Sequence, residues 1–312
     1  MIVTLTLNPS LDRTVSVPSF EPGSLLRGTN ETVEPGGKGV NVARALLAND
    51  CPAVAVFPVG GATGDHLVSL LRAEGVEVAP VSVGGMTRTN ITLSEPDGRV
   101  TKVNLAGEQL ALAEIDQLVE SVIAHSSAGD WVVASGSLPA QASPNLYATL
   151  VARLRASGRR VAVDTSGVAL AHAVAAGPDL IKPNAAELEE LIDQPIDSLG
   201  DVVTACRKIV AGGVGAVLAS LGVRGALYVD ADDAVHGTAP VDVVRSDVGA
   251  GDCLLAGFLA SDGAIDDRMA DALRWAASAV ELPGSAVPDP EQIAHRRASV
   301  TRQVDLGVVL AR

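Results

Sequence analysis

The sequence predicts an α/β protein whose core is a mainly parallel sheet covered by helices on both faces. Short runs rich in β-branched residues alternate with longer helical patterns over most of the 312 residues, as expected where crossover helices join parallel strands. Residues 87–105 break this rhythm, because they alternate polar and apolar residues around Asp97-Gly98, which indicates a hairpin. We therefore expect one domain, residues 1–312, that carries a second, smaller sheet.

The elements of the main domain follow one another in a regular order. Apolar runs predict strands at residues 2–7, 53–58, 131–135, 160–164, 178–181, 215–220 and 225–229. Helical patterns, several of them ended by Gly or Pro, lie near residues 39–49, 64–74, 112–125, 144–157, 167–176, 185–192, 199–212, 250–261 and 267–280. The smaller sheet is expected to combine the hairpin with strand-like runs at residues 12–20 and 29–34. Residues 297–312 are expected to form a C-terminal strand or edge.

The composition narrows the classes of function. A net charge of −14 argues against a general affinity for nucleic acid, which needs a basic surface. No stretch approaches the roughly 20 apolar residues of a membrane span, and the N-terminus has no basic segment of a secretory signal, so we expect a soluble, cytoplasmic protein. The three cysteines are widely spaced, which indicates neither a disulfide framework nor a zinc site. An acidic protein that binds phosphates needs local positive potential, from helix N-termini, a few Lys and Arg side chains, and a divalent cation.

A glycine-rich segment with a carboxylate begins the predicted helix near residues 250–261. The main-chain N–H groups of Gly249, Ala250 and Gly251 would be among the unpaired donors of the first turn, where the helix dipole also favours an anion. Asp252 lies at the edge of this cradle. A carboxylate repels a bound anion, but it can accept a proton from an attacking hydroxyl. The segment therefore suggests phosphoryl transfer to an alcohol, with an ordinary capped helix as the alternative.

A second glycine turn runs into the helix predicted near residues 39–49. Gly36 and Gly37 let the backbone come close to a ligand, and Lys38 and Asn41 lie one helical turn apart, so both can face one pocket. The segment matches neither a Walker A loop nor a dinucleotide fingerprint. The alternative interpretation is a turn with a solvated lysine.

Polar residues also follow other predicted strands, where open parallel sheets bind their ligands. Asp12 follows the first strand and is placed to accept hydrogen bonds from substrate hydroxyls, although an aspartate in a plain turn is the alternative. Asn184 and Glu187 fit a helix cap, in which Glu187 could also hold waters around Mg²⁺. Residues 163–167 likewise end a strand with polar groups, and residues 220–225 form either a floor for nucleotide phosphates or a hairpin turn.

The chain resembles the ribokinase-like, phosphofructokinase-B sugar kinases, and within them the fructose- and tagatose-phosphate kinases. The motifs that carry the resemblance stand, in the family's order, at residues 6–12, 35–45, 60–65, 87–90, 135–139, 182–188 and 248–252. The resemblance implies a three-layer αβα domain with a β-sheet lid formed from about 12–34 and 87–106. It also implies ATP and Mg²⁺ as cofactors and transfer of the γ-phosphate to a phosphosugar hydroxyl.

The resemblance further implies a role for individual residues. Asp252 would be the catalytic base, and Gly249, Ala250 and Gly251 would form the anion hole. The residues implied to bind the sugar phosphate are Asp12, Arg27, Gly36, Gly37, Lys38, Asn41, Arg88 and Ser137. The residues implied to bind the nucleotide are Asn184, Ser220, Gly222, Gly225, Gly249 and Gly251, with Glu187 at the metal.

The basic residues implied at the sugar site bear on which sugar is phosphorylated. Lys38 and Arg88 suit a phosphorylated ketose, so the first expectation is conversion of fructose 1-phosphate to fructose 1,6-bisphosphate, with fructose 6-phosphate and tagatose 6-phosphate as rival acceptors. A non-catalytic sugar-phosphate sensor is disfavoured by the presence of Asp252, Asn184 and Glu187. A dinucleotide oxidoreductase is disfavoured by the missing fingerprint after the first strand. The lid is expected to join two copies of the chain into a homodimer.

Overall fold

The computed structural model describes residues 1–310 and contains two sheets and ten α-helices within that range. The strands are β1 (Ile2–Thr6), β2 (Ser10–Ser16), β3 (Asn30–Gly36), β4 (Ala53–Val59), β5 (Glu77–Ser82), β6 (Arg88–Ser94), β7 (Val100–Val103), β8 (Trp131–Ser135), β9 (Arg160–Asp164), β10 (Leu180–Ile181), β11 (Val217–Ser220), β12 (Ala226–Val229), β13 (Ala234–Thr238) and β14 (Ser299–Thr301). The helices are α1 (Lys38–Ala48), α2 (Gly61–Ala73), α3 (Leu112–Ala124), α4 (Leu146–Ala156), α5 (Gly167–Ala175), α6 (Ala185–Ile192), α7 (Leu199–Ala211), α8 (Ala250–Ala260), α9 (Ile265–Val280) and α10 (Pro290–Ala294). A 3-10 turn covers Gly222–Arg224.

The large sheet has the strand order β14-β13-β12-β11-β10-β9-β8-β1-β4-β5. Strands β5 to β11 in this order are parallel, whereas β12, β13 and β14 add on as antiparallel strands. The central strand β1 pairs with β4 and β8, so that Leu5 lies opposite Val56 on one side and Ala134 on the other. This arrangement brings the carboxyl ends of β1, β8, β9 and β10 to one edge of the sheet.

Alternate residues of the strands pack against two helix layers, because successive side chains of a strand point to opposite faces. Leu5 contributes to a core with residues of α3, α4, α6 and α7. Val133 contributes to a second core with residues of α1, α8 and α9, and Phe57 to a third with α1 and α2. The αβα architecture with a mainly parallel sheet is therefore confirmed.

The small sheet has the order β3-β2-β6-β7 and is formed by two separate stretches of the chain. Strands β6 and β7 form the predicted hairpin, in which Leu93 lies opposite Thr101. Gly98 in its turn has a φ of +87°, a conformation that glycine adopts without strain. Strand β2 pairs antiparallel with β3 and parallel with β6. The smaller sheet expected from the sequence is thus present.

Three elements were not predicted, namely β5, β13 and α10. Strand β5 contains a proline and forms the edge of the large sheet, so its sequence carries only a weak strand pattern. Strand β13 is five residues long and includes His236 and Gly237. The C-terminal edge strand is confirmed as β14 but covers only three residues, and residues 311–312 lie outside the described part of the chain. Within residues 1–310, no helix is both long enough and apolar enough to cross a membrane.

Candidate active site

Several of the predicted site residues meet where the carboxyl ends of the central strands face the first turns of α1 and α8. Two contacts between distant parts of the chain define this region. Asn41 Nδ2 donates a hydrogen bond of 2.8 Å to Asp252 Oδ2, and Lys38 Nζ lies 2.6 Å from Asp164 Oδ1. Helices α1 and α8 therefore place their N-termini beside the end of β9.

Asp252 is buried in the first turn of α8, with 6% of its surface exposed. Burial, with the nearby charge of Asp164, raises the pKa of Asp252 to about 6. Lys38, the hydrogen bond from Asn41 and Lys182 act in the opposite direction, because they stabilise the ionised carboxylate. A carboxyl group with this pKa is ionised at neutral pH and is also basic enough to accept a proton.

The first turn of α8 carries unpaired main-chain donors close to Asp252 in sequence. Gly249 begins the helix with a φ of +80°, in the left-handed region. No hydrogen bond within residues 1–310 uses the main-chain N–H groups of Gly249, Gly251 or Asp252. The N–H of Ala250 reaches the carbonyl of Asp247 at 3.4 Å, so this predicted member of the anion hole already has a weak partner. The arrangement can hold an anion at the helix N-terminus.

A cluster of three charged groups, Lys38, Asp164 and Lys182, lies next to this helix end. The Asp164 side chain is fully buried, and its second oxygen lies 3.1 Å from Lys182 Nζ. Burial alone would raise the pKa of Asp164, but the two lysines outweigh it, so the pKa lies below its usual value. Burial alone would likewise lower the pKa of Lys38, but the Asp164 carboxylate outweighs it and the pKa is raised. Lys38 and Asp164 are therefore both charged at neutral pH.

Lys182 reaches the anion hole because Gly251 has no side chain. A Cβ on Gly251 would lie 3.1 Å from Lys182 Nζ, which is closer than an ordinary contact. The ammonium group of Lys182 thus adds a full positive charge beside the N–H groups of α8. In the sequence, Asp164 belongs to a polar strand end and Lys182 to the motif at residues 182–188, but neither was assigned a role, because nothing local to either residue predicts their ion pair.

Asp12 lies on β2 of the small sheet and is half-buried. Ser10 Oγ donates to Asp12 Oδ1 at 2.7 Å, and Asn90 Nδ2 donates to the same oxygen at 2.9 Å. A Cβ on Gly36 would lie 2.3 Å from Asp12 Oδ2, so any larger residue here would force the Asp12 side chain to move. Gly37 has a φ of +120° and ends the turn before α1, which satisfies the predicted need for glycine there.

Arg88 and Ser137 are brought together by Asn8, which follows β1. The guanidinium of Arg88 donates from Nη2 to the Asn8 carbonyl at 3.0 Å and from Nη1 to the Leu105 carbonyl at 2.7 Å. Asn8 Nδ2 in turn donates to Ser137 Oγ at 3.3 Å. Asn8 is a further residue to which the sequence assigned no role.

Arg27 is exposed in the loop between β2 and β3, and among the described residues no hydrogen bond or ion pair joins it to the site.

The predicted nucleotide residues form a second group at the ends of β10 and β11. Asn184 and Glu187 form a reciprocal cap on α6, with both hydrogen bonds at 2.8 Å. A bridge between Asn184 and Ser220 joins this cap to the end of β11. Gly222 and Gly225 in the following turn have φ values of +56° and +77°. The charge of Glu187 also contributes to the raised pKa of Lys38, so this group adjoins the charged cluster.

Comparison with known proteins identifies a set of relatives. The sequence profile of the pfkB family carbohydrate kinases matches residues 5–290. The chain is 38% identical over 308 residues to a 1-phosphofructokinase of Rhodobacter capsulatus, covering 96% of both chains. It is 39% identical over 274 residues to the ATP-dependent 6-phosphofructokinase isozyme 2 of Escherichia coli strain K12, covering 86% of this chain and 88% of the relative. The crystal structure of Escherichia coli phosphofructokinase-2 in complex with fructose-6-phosphate matches with a TM-score of 0.86 and 35% identity, over 94% of this chain and 96% of that chain.

Proposed function

Because the chain belongs to the pfkB family of carbohydrate kinases, we propose that it transfers the γ-phosphate of ATP to fructose 1-phosphate, giving fructose 1,6-bisphosphate and ADP. Membership in this family makes the protein a phosphotransferase with an alcohol acceptor and confirms the resemblance of the sequence motifs. The observation that carries the proposal is the buried Asp252 at the N-terminus of α8, beside unpaired N–H groups. A relative named 1-phosphofructokinase aligns over 96% of the chain, which favours fructose 1-phosphate as the acceptor.

Asp252 is proposed to accept the proton of the attacking sugar hydroxyl. Asn41 holds one of its carboxylate oxygens, Oδ2, and the other oxygen is left to take the proton. The N–H groups of Gly249 and Gly251, with the Lys182 ammonium, would stabilise charge on the transferred phosphoryl group. Phosphoryl transfer passes through a loose transition state, so positioning and charge stabilisation account for most of the rate.

The sugar phosphate would bind between the small sheet and the main domain. Asp12 would accept hydrogen bonds from sugar hydroxyls, and Arg88 with Ser137 would bind the phosphate already present on the sugar. Lys38 and Lys182 share the single carboxylate of Asp164, so the cluster keeps a net positive charge that would act on the phosphoryl group in transfer. This proposal gives Lys38 a second role besides that of a sugar-phosphate ligand.

The residues at the nucleotide side fit a bound Mg²⁺–ATP complex. Within residues 1–310, no group of three or more His, Cys, Asp or Glu residues could hold a metal ion alone. Magnesium commonly binds through one or two carboxylates, waters and substrate phosphates, and Glu187, one of whose oxygens is not used by the cap, suits such a site. The ion would neutralise charge on the phosphates of ATP, whose other proposed contacts are Asn184, Ser220, Gly222 and Gly225.

The acceptor is tested by measuring ADP release with fructose 1-phosphate, fructose 6-phosphate, tagatose 6-phosphate and unphosphorylated fructose. We expect fructose 1-phosphate to have the highest kcat/KM, and fructose a value lower by at least about 10²-fold, because it lacks the charged group that pairs with Arg88. A preference for fructose 6-phosphate would replace the proposed acceptor by that of the 6-phosphofructokinases. No ADP release with any sugar would favour a non-catalytic sensor.

The activity is expected to fall as the pH drops through about 6, because protonated Asp252 cannot act as a base. A profile of kcat/KM between about pH 5 and 9 measures this decline, which forms the acidic limb of the profile. Asn41→Ala serves as the control, since loss of the hydrogen bond to Asp252 raises its pKa and moves the limb to higher pH. A limb that stays in place in this variant would belong to a titrating phosphate of the substrates instead.

A second copy of the chain is proposed to cover the outer face of the small sheet. Strand alternation puts Asp12 and Asn90 on one face, and Ile91 with its cross-strand neighbour Val103 on the other. Ile91 and Val103 are 37% and 48% exposed, although both are apolar. An apolar sheet face of this kind is commonly buried in an interface.

The dimer is tested by placing a charge on this face. Val103→Glu is expected to convert a dimer at micromolar concentration into a monomer, as measured by light scattering after size exclusion. Leu112→Glu is the matched control, because Leu112 is 82% exposed at the start of α3, outside the small sheet. A wild-type protein that is monomeric at this concentration would contradict the proposed interface.

A further inference from the structure

The two carboxylate oxygens of Asp12 have different environments. Oδ1 accepts hydrogen bonds from Ser10 Oγ at 2.7 Å and from Asn90 Nδ2 at 2.9 Å. Oδ2 lies over Gly36, and no hydrogen bond within residues 1–310 uses it. One oxygen is therefore occupied by the protein, and the other remains free to accept a hydrogen bond from a ligand.

We infer that Asn90 is a positioning residue, which acts on the sugar phosphate through Asp12 by fixing Oδ1 so that Oδ2 alone is presented. This inference rests on the proposed function, since it takes Asp12 as a ligand of the sugar hydroxyls. Asn90 lies directly opposite Asp12 in the parallel pairing of β6 with β2, so the contact is set by the register of the small sheet. Ser10 contributes to the same network through a hydrogen bond of 3.0 Å from Asn90 Nδ2.

The amide group of Asn90 is itself held in one orientation. Its Oδ1 accepts a hydrogen bond of 3.3 Å from the main-chain N–H of Leu105, which directs the NH₂ end toward Asp12. The carbonyl of Leu105 accepts a 2.7 Å hydrogen bond from Arg88 Nη1. Leu105 thus hydrogen-bonds both Asn90 and Arg88, the proposed phosphate ligand two residues earlier on the same strand. The small sheet therefore fixes Asp12 and Arg88 relative to each other before the sugar binds, which lowers the entropic cost of binding.

The test compares Asn90→Ala with Asp12→Ala and with the double variant. We expect Asn90→Ala to raise the KM for the sugar phosphate by about tenfold to a hundredfold, with kcat within about threefold and the KM for ATP unchanged. In the Asp12→Ala background the same substitution should add no more than about twofold, because its effect passes through Asp12. Thr92→Ala is the matched control, since Thr92 is the next residue on the same face of β6 and, within residues 1–310, no side-chain hydrogen bond joins it to Asp12, Asn90 or Ser10.

Asn90→Asp supplies an independent signature. This substitution keeps the size of the side chain and the acceptor for Leu105, but it places a second carboxylate against Asp12. The KM for the sugar phosphate should rise, and its ratio to the wild-type KM should fall as the pH is lowered, because one shared proton restores a hydrogen bond between the two carboxyl groups. A merely structural role for Asn90 would not give this pH dependence.

The outcomes separate the inference from the proposed function. A raised KM in Asp12→Ala with an unchanged KM in Asn90→Ala would overturn the inference and leave the sugar site intact. An equal effect of Asn90→Ala with and without Asp12 would also overturn it, because Asn90 would then contact the sugar itself. An unchanged KM in Asp12→Ala would instead contradict the proposed role of Asp12, on which the inference rests.

Discussion

Asp252→Asn is expected to lower kcat by about 10²–10⁴-fold while leaving the KM for both substrates within a few-fold. Asparagine keeps the shape of the side chain and can still accept the hydrogen bond from Asn41, but it cannot take a proton from the attacking hydroxyl. The N–H groups of α8 remain in place, so binding of the phosphates is preserved. Initial rates with ATP and fructose 1-phosphate measure kcat, and calorimetric titration measures binding.

The stability of this variant is the control for correct folding. The pKa of Asp252 is about 6 in the folded protein and about 3.9 in an unfolded chain. The folded state therefore holds the proton more tightly, and stability falls as the pH rises between these two values. Asparagine removes this cost, so we expect the variant at pH 7 to be as stable as the wild type or more stable, by up to about 3 kcal/mol. A near-normal kcat in such a folded variant would remove Asp252 as the base.

Lys38→Ala and Arg88→Ala are expected to differ in which kinetic constant changes. Lys38 lies with Asp164 and Lys182 beside Asp252, so its loss should lower kcat by about 10²–10³-fold. Its loss should also raise the pKa of Asp252, since the Lys38 charge stabilises the carboxylate, and so shift the acidic limb of the pH profile upward. Arg88 contacts Asn8 and Leu105, so its loss should raise the KM for the sugar phosphate by about 10²-fold and leave the KM for ATP unchanged.

Steady-state kinetics with each substrate varied in turn distinguish these effects. A Lys38→Ala variant with normal kcat and a raised KM for the sugar phosphate alone would make Lys38 only a ligand of that phosphate. An Arg88→Ala variant whose KM rises equally for ATP and the sugar phosphate would mean that the substrate phosphate has been misplaced.

Local sequence was sufficient where a short segment determines its own structure. The glycines before Asp252 predict a helix start with free N–H groups, and α8 begins at Ala250 with Gly249 in the left-handed region. The alternation around Asp97-Gly98 likewise predicts the hairpin of β6 and β7, because the strand period and the turn residues agree. These features depend on neighbours within a few residues.

Contacts between distant residues could not be predicted in the same way. Asn41 and Asp252 are 211 residues apart, and Lys38 and Asp164 are 126 apart, so their hydrogen bonds depend on the packing of α1 and α8 against the sheet. Sequence motifs placed Lys38 at the site but did not reveal its partner. Asn90 belongs to the motif at residues 87–90, yet its contact with Asp12 requires the register of β2 and β6.

A competition assay tests the central claim most directly. Fructose 1-phosphate and fructose 6-phosphate are mixed at equal concentration with the protein, ATP and Mg²⁺. Because both acceptors give the same bisphosphate, the loss of each is followed by its own ³¹P resonance, and the ratio of initial rates equals the ratio of kcat/KM. We predict that fructose 1-phosphate disappears at least about tenfold faster. Faster loss of fructose 6-phosphate, or consumption of neither sugar while ATP stays intact, would contradict the proposed function.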